Sequence, residues 1–179
     1  GRAGKLSMTS AFVLKHLFRQ LSRNASQNPE VAKKYKVTLE CTHHGPSINI
    51  PCCFIEIGSG EKEWKDKQAG RVVAEAISSL QNLNSERWIS SIGIGGPHYC
   101  PNFNKIQLNS KYALSHIIPQ YSFPLTQAIL KEAIEKTEEA VMCAILDWKG
   151  CGKSKERQDI INLLRRCGLE VKRTSDIEK

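Results

Sequence analysis

The strongest constraint on this chain is the way strand-length apolar runs alternate with amphipathic stretches. Residues 141–146 are continuously apolar, Asp147 ends the run, and residues 154–167 place apolar side chains at helical spacing before Gly168. A short run without polar interruption reads as a buried strand, and a helix after it packs back on the sheet. Residues 88–94 give another strand, closed by Gly95, Gly96 and Pro97. Residues 36–42 alternate, with Val37, Leu39 and Cys41 on one side and Thr38, Glu40 and Thr42 on the other. Residues 52–57 form a strand whose only charge is Glu56, and residues 169–173 form a last short one. Helices are expected over residues 6–21, capped by Thr9 or Ser10, after the turn at Gly58, Ser59 and Gly60, and over residues 126–138. Residues 24–29 and 97–109 read as irregular, and residues 112–118 as a short helix or turn stopped by Pro119. This order predicts a layered α/β/α fold with a mixed, partly parallel sheet.

At 179 residues, 40% of them hydrophobic, the chain is expected to be a single α/β domain rather than a disordered segment. No apolar run approaches the roughly 20 residues of a membrane span. No secretory leader is visible, so a cytoplasmic protein is expected, and the start Gly1-Arg2-Ala3-Gly4 reads as a cut in a longer chain or as an artificial scar. The seven cysteines include no CxxC pair and sit mostly in apolar runs, as buried reduced thiols do. The net charge of +8 is uneven. Residues 1–36 carry eight basic residues against one acid, residues 149–179 nine against five, and the middle nine against twelve. Basic flanks around a near-neutral centre suit a polyanion laid over a site whose chemistry is not itself cationic.

Four segments carry candidate chemistry. Glu40-Cys41-Thr42-His43-His44-Gly45-Pro46 follows a strand directly, where α/β sheets build their binding crevices. Gly93-Ile94-Gly95-Gly96-Pro97-His98-Tyr99 is the second strand end, with glycines that let backbone N–H groups face an anion and a histidine just beyond. Glu56 is a carboxylate in an apolar strand and calls for a histidine, a metal or a basic partner. Asp147-Trp148-Lys149-Gly150-Cys151-Gly152-Lys153-Ser154 imitates a phosphate loop, but Asp147 stands where that pattern needs glycine. Its helix start can still meet an RNA phosphate through Lys153. His16 reads as structural.

In order and approximate spacing Glu40-Cys41-Thr42-His43-His44-Gly45-Pro46, Phe54-Ile55-Glu56-Ile57-Gly58-Ser59 with Trp64, Gly93-Ile94-Gly95-Gly96-Pro97-His98-Tyr99 and His116-Ile117-Ile118-Pro119-Gln120-Tyr121 resemble the archaeal and plant type of D-aminoacyl-tRNA deacylase. The resemblance implies a fold like peptidyl-tRNA hydrolases and phosphorylases, a tRNA partner, zinc, and hydrolysis of the ester joining a D-amino acid to tRNA. Family members carry about a hundred further N-terminal residues, so the chain is expected to correspond to the C-terminal two thirds of the family's length. Cys41, Cys52 and Cys53 stand where small or apolar residues are expected.

On this reading His43, His44, His98 and Glu56 are the catalytic candidates, and His44, His98, Glu40 and His116 the metal candidates. Thr42, Gly95, Gly96, Tyr99 and Lys153 would contact substrate, with the Gly95 and Gly96 N–H groups holding the carbonyl oxygen as it becomes negative. Lys15, Arg19, Lys153, Arg165 and Arg166 would hold the RNA backbone. A monomer is expected. The competing readings are an RNA-binding module of the same fold without catalysis, and a nucleotide enzyme built on the loop at Asp147.

Overall fold

A computed structural model describes residues 5–43 and 45–177. Strands β1 (Ile89–Ile94), β2 (Tyr112–Ile118), β3 (Cys143–Leu146) and β4 (Glu170–Arg173) pair in parallel in the order β2-β1-β3-β4. The helices are α1 (Ala11–Gln27), α2 (Pro29–Lys34), α3 (Glu61–Trp64), α4 (Lys67–Ser78), α5 (Pro101–Asn109), α6 (Gln127–Glu135), α7 (Ser154–Arg166) and α8 (Thr174–Ile177). The layered α/β class is the expected one, and the sheet is parallel throughout.

Alternation along the strands divides the core. Cys143 and Ile145 join Phe18 of α1 and Phe103 and Ile106 of α5, while Ala144 and Leu146 join Leu130 of α6 and Ile160 and Leu164 of α7. A strand covered on both faces needs apolar side chains at every position, as the 141–146 run has. No helix among the described residues is long and apolar enough to cross a membrane.

Several expectations are corrected. Residues 112–118 form a strand rather than a helix or turn. Between Ser91 and Gly93 of β1, β2 advances from Leu114 to Ile117, so it carries one extra residue. That bulge puts Leu114 and Ile117 in the same core cluster, three positions apart, and this spacing imitates a helix. Within residues 97–109, thought irregular, Pro101 opens α5 and buries Phe103, Ile106 and Gln107. Helix α1 starts later and runs through the expected loop to Gln27. Ser10 caps it by accepting from the Val13 N–H, and the Glu139 carboxylate accepts from the Ala11 N–H at 2.8 Å. Residues 36–42 and 52–57 lie outside the four named strands. The first keeps one antiparallel bridge, Glu40 to Tyr99, and in the second Glu56 is exposed rather than buried.

Lys15 is the other departure. It is fully buried, and its Nζ donates to the carbonyls of Gln107 at 2.5 Å and Tyr112 at 2.9 Å. It therefore joins α1 to the end of α5 and the start of β2, and it cannot reach RNA. Burial first, and Arg19 second, pull its pKa down to about 7. Between that value and the ordinary 10.5 the unfolded chain binds the extra proton, so this residue's contribution to stability rises with pH. In urea titrations at pH 7, 8 and 9, the stability of the parent relative to Lys15→Met is expected to climb with a slope of at most about 1.4 kcal/mol per pH unit. A pH-independent difference would show that Lys15 stays charged throughout.

Candidate active site

Ile94, Ile118, Leu146 and Arg173 end their strands in one row. The turns beyond them form the crevice expected at the carboxyl edge of a parallel sheet. Onto this edge the chain lays the extended segment 39–42. The Cys100 N–H donates to the Leu39 carbonyl at 3.2 Å, the Cys41 N–H to the His98 carbonyl at 2.9 Å, and the Thr42 N–H to the Ile117 carbonyl at 2.9 Å. Three backbone bonds thus fasten the first histidine segment to the turns after β1 and to β2.

The side chains converge at that seam. One ligating atom each from Cys41, His43 and His98 lie within 4.8 Å of one another. The His43 and His98 rings meet edge to face at 4.6 Å. Glu40 Oε2 lies 3.7 Å from the Nε2 of both rings. His43 Nδ1 lies 2.7 Å from the Cys41 carbonyl, which can only accept, so the proton sits on Nδ1 and Nε2 is the nitrogen facing Glu40. The Tyr121 hydroxyl lies 2.8 Å from Cys41 Sγ and 3.3 Å from His98 Nδ1. Burial pushes the Cys41 thiol pKa up, and the bond to Tyr121 works the other way. The Tyr121 phenol is held up at about 12, first by that same contact and then by burial. Cys41 is 2% exposed, while the Glu40, His43 and His98 side chains keep 36%, 30% and 39% of their surface. The cluster is anchored on a buried sulfur and opens to solvent through its imidazoles. It borders a cavity of about 1110 Å³ that Glu40, Cys41, Thr42, His43, Glu56 and His116 help to line.

The sequence of this chain matches the D-aminoacyl-tRNA deacylase family over residues 1–172. The chain belongs to that family. It is 43% identical to a D-aminoacyl-tRNA deacylase of Thermococcus kodakarensis over 76% of this chain and 50% of the relative. It is 33% identical to one of Methanosarcina mazei over 100% of this chain and 58% of the relative. A crystal structure of a conserved protein of unknown function, AF0625, superposes with a TM-score of 0.85 at 32% identity, covering 99% of this chain and 61% of that one. The chain spans about half the length of several curated relatives it matches.

The remaining residues expected from the deacylase resemblance divide sharply. His44 lies outside the described residues. His116 is not a ligand at this cluster. It is 3% exposed, its Nε2 lies 3.2 Å from the Lys136 carbonyl, and its Nδ1 lies 3.3 Å from Thr42 Oγ1. Burial lowers its pKa, so it sits as a neutral ring that donates to Lys136 and accepts from Thr42. The Thr42 oxygen accepts from the Ile117 N–H at 3.1 Å, so this hydroxyl ties the segment to β2. Glu56 is exposed and lines the cavity. Tyr99 is 59% exposed, with its ring 5.1 Å from that of His98.

At the glycine turn, one of the two expected backbone donors is already engaged. The Gly95 N–H is donated to the Ile118 carbonyl at 2.8 Å, so it is not a donor for a substrate oxygen. Gly95 and Gly96 take φ of +92° and +85°, where a side chain is strained. A Cβ on Gly150 would sit 2.2 Å from the Gly96 nitrogen. The phosphate-loop imitation is explained by this backbone-on-backbone contact: Gly150 makes room for the turn that carries His98. The start of α7 is already filled, because Glu156 accepts from the Lys153 N–H at 2.5 Å. Asp147 is buried and accepts from Asn102 at 3.0 Å.

Sequence reasoning missed Cys41 and Tyr121. Both stand inside the quoted motifs, but the cysteine read as core and the tyrosine lay beyond a proline. Two outcomes follow from this packing. Thr42→Val leaves the Ile117 N–H without its acceptor and is expected to cost about 1–3 kcal/mol in urea unfolding, with Thr42→Ser close to the parent. Gly150→Ala pushes the Gly95–Gly96 turn away and is expected to shift the His98 ring resonances in NMR spectra, while an unchanged His98 environment would refute the support role.

Proposed function

We propose that this chain supplies the hydrolytic centre of a D-aminoacyl-tRNA deacylase, which cleaves the ester between a D-amino acid and the 3′ end of tRNA. What supports the reading is the convergence of Glu40, Cys41, His43 and His98 at the carboxyl edge of the sheet in a chain of this family. An aminoacyl ester is already activated, so its hydrolysis needs a held water, a proton acceptor and a donor for the developing oxyanion.

The chain's own groups divide these tasks. His43 Nε2 and the Glu40 carboxylate face the same point from two sides, where a water can be held and lose its proton. His98 closes the third side through its own Nε2. As the water oxygen bonds to the ester carbon, its proton passes to the Glu40 carboxylate, which stays free when the imidazoles hold a metal. The carbonyl oxygen takes the negative charge, and collapse expels the ribose 3′-oxygen, which takes a proton back. Tyr121 keeps its proton to high pH and stands beside Cys41 and His98 as a neutral donor.

The donor set fits zinc. A thiolate with two imidazoles is the ligand chemistry that ion prefers, and Cys41, His43 and His98 would hold it, with Glu40 beside them. When bound, zinc lowers the pKa of a coordinated water toward ~7 and polarises the ester carbonyl. Cys41, which departs from the family expectation, becomes the residue that selects the metal.

The assay is hydrolysis of D-tyrosyl-tRNA and L-tyrosyl-tRNA by the metal-loaded protein, with and without chelator. His98→Ala and Glu40→Gln are each expected to lower the D-substrate rate by about 10²–10⁴-fold. A His98→Ala protein that hydrolyses at the parent rate overturns the assignment.

A further inference from the structure

One basic surface lies outside the cluster and touches the turn that carries it. Trp148 follows β3, and two guanidiniums lie on its ring: the Arg173 carbon at 3.7 Å from the ring centre and the Arg157 carbon at 4.7 Å. Arg173 ends β4 beside Leu146, and Arg157 stands on the first turn of α7. Lys149 and Lys153 are exposed on the same loop. The neighbouring acids are turned to other work. Asp147 is buried against Asn102, Glu156 closes the start of α7, Glu170 pairs with Lys172 at 2.6 Å, and Asp176 accepts from the Arg173 N–H at 3.3 Å. Five cations, Lys149, Lys153, Arg157, Lys172 and Arg173, stand against these four carboxylates, so the surface is net positive, and two of its cations are planar groups stacked on an aromatic ring.

This arrangement has a chemistry. Stacking fixes each guanidinium plane; the exposed Arg173 keeps its N–H fork for two phosphate oxygens at a time, while the Arg157 Nε is buried without a partner and points to the stack rather than to solvent. A stacked guanidinium also offers its outer face to an unpaired base, a contact single-stranded RNA makes readily and a closed duplex does not. The patch is continuous with the candidate active site. Gly150 of this loop touches Gly96, and His98 is two residues further on, at most about 7–8 Å along the chain.

We propose that Trp148, Arg157 and Arg173, with Lys149 and Lys153, form the docking surface for the unpaired 3′ strand of tRNA, which leads the terminal ester to the cluster at His98. The inference rests on the deacylase reading for its choice of RNA, but its test does not depend on hydrolysis. A strand bound here crosses the ends of β3 and β4 and reaches the ends of β1 and β2, where Tyr121 and His98 stand. The helix start at Lys153 serves as part of a side-chain surface and not as a phosphate cradle, since Glu156 already fills it.

Binding of a non-acylated acceptor-stem hairpin with an unpaired 3′ tail, labelled with fluorescein at its 5′ end, tests this by anisotropy between 50 and 200 mM salt. The same hairpin with a blunt end is the control, and inorganic phosphate is the competitor that reports a mere anion site. The double variant Arg157→Gln/Arg173→Gln is expected to bind the tailed hairpin at least tenfold more weakly. The slope of log affinity against log salt should fall by about 1.4, the loss of two single-strand phosphate contacts. Blunt RNA should bind the parent weakly and respond little to the substitutions. Should the double variant not fold, Lys149→Gln/Lys153→Gln, which leaves the stack intact, is expected to lower the slope by a similar amount. Unchanged affinity and slope in the folded variants overturn the proposal, as does equal loss of tailed and blunt binding, or displacement of the tailed hairpin by millimolar phosphate. Loss of tailed-RNA binding in the variants of a parent that hydrolyses nothing would uphold the docking surface and reject the deacylase chemistry.

Discussion

The backbone seam between residues 39–42 and the turns beyond β1 and β2 is the interaction on which everything at this site depends. Its bonds, Cys100 to Leu39, Cys41 to His98 and Thr42 to Ile117, join segments more than fifty residues apart. None of them involves a functional side chain. They use the obligatory donors and acceptors of the main chain, which must be paired wherever they are buried. Once they are made, Glu40, Cys41 and His43 can only lie beside His98. Thr42 and His116 brace the seam with side-chain bonds, so where they border the cavity their polar atoms are already engaged.

The parallel sheet supplies the second half of the arrangement. Because all four strands run the same way, their carboxyl ends and following turns collect along one edge. His98 and Tyr121 come from two of these turns, and the Trp148 loop and Arg173 from the other two. The contact of Gly150 with Gly96 locks neighbouring turns together without side chains. Rigid strands therefore hold the charged and nucleophilic groups, so the geometry of the cluster does not rely on loop order alone.

Much of this was legible in the sequence. The apolar run at 141–146 followed by an amphipathic helix dictated a buried parallel strand, and the His43 and His98 motifs were visible as strand-end turns rich in glycine and histidine. What escaped had physical causes. The bulge in β2 broke the two-residue period on which strand reading rests. Helix α5 begins with proline after Cys100, without the side-chain cap that marks most helix starts. Lys15 was read as a phosphate contact because a lysine on an amphipathic helix normally faces water, and only the carbonyls of Gln107 and Tyr112, ninety residues away, make its burial tolerable. Cys41 and Tyr121 were passed over because their roles come from the seam and not from any local pattern. Glu56 was singled out on the assumption of a buried strand, and its exposure removes the reason for a paired carboxylate there.

The direct test of the central claim, that the seam builds one mixed sulfur and nitrogen centre, is zinc K-edge X-ray absorption on the protein carrying one equivalent of zinc. The account predicts one sulfur at about 2.3 Å and two imidazole nitrogens at about 2.0–2.1 Å, with the sulfur shell lost in Cys41→Ser. A first shell of oxygen and nitrogen only, unchanged by that substitution, would contradict it.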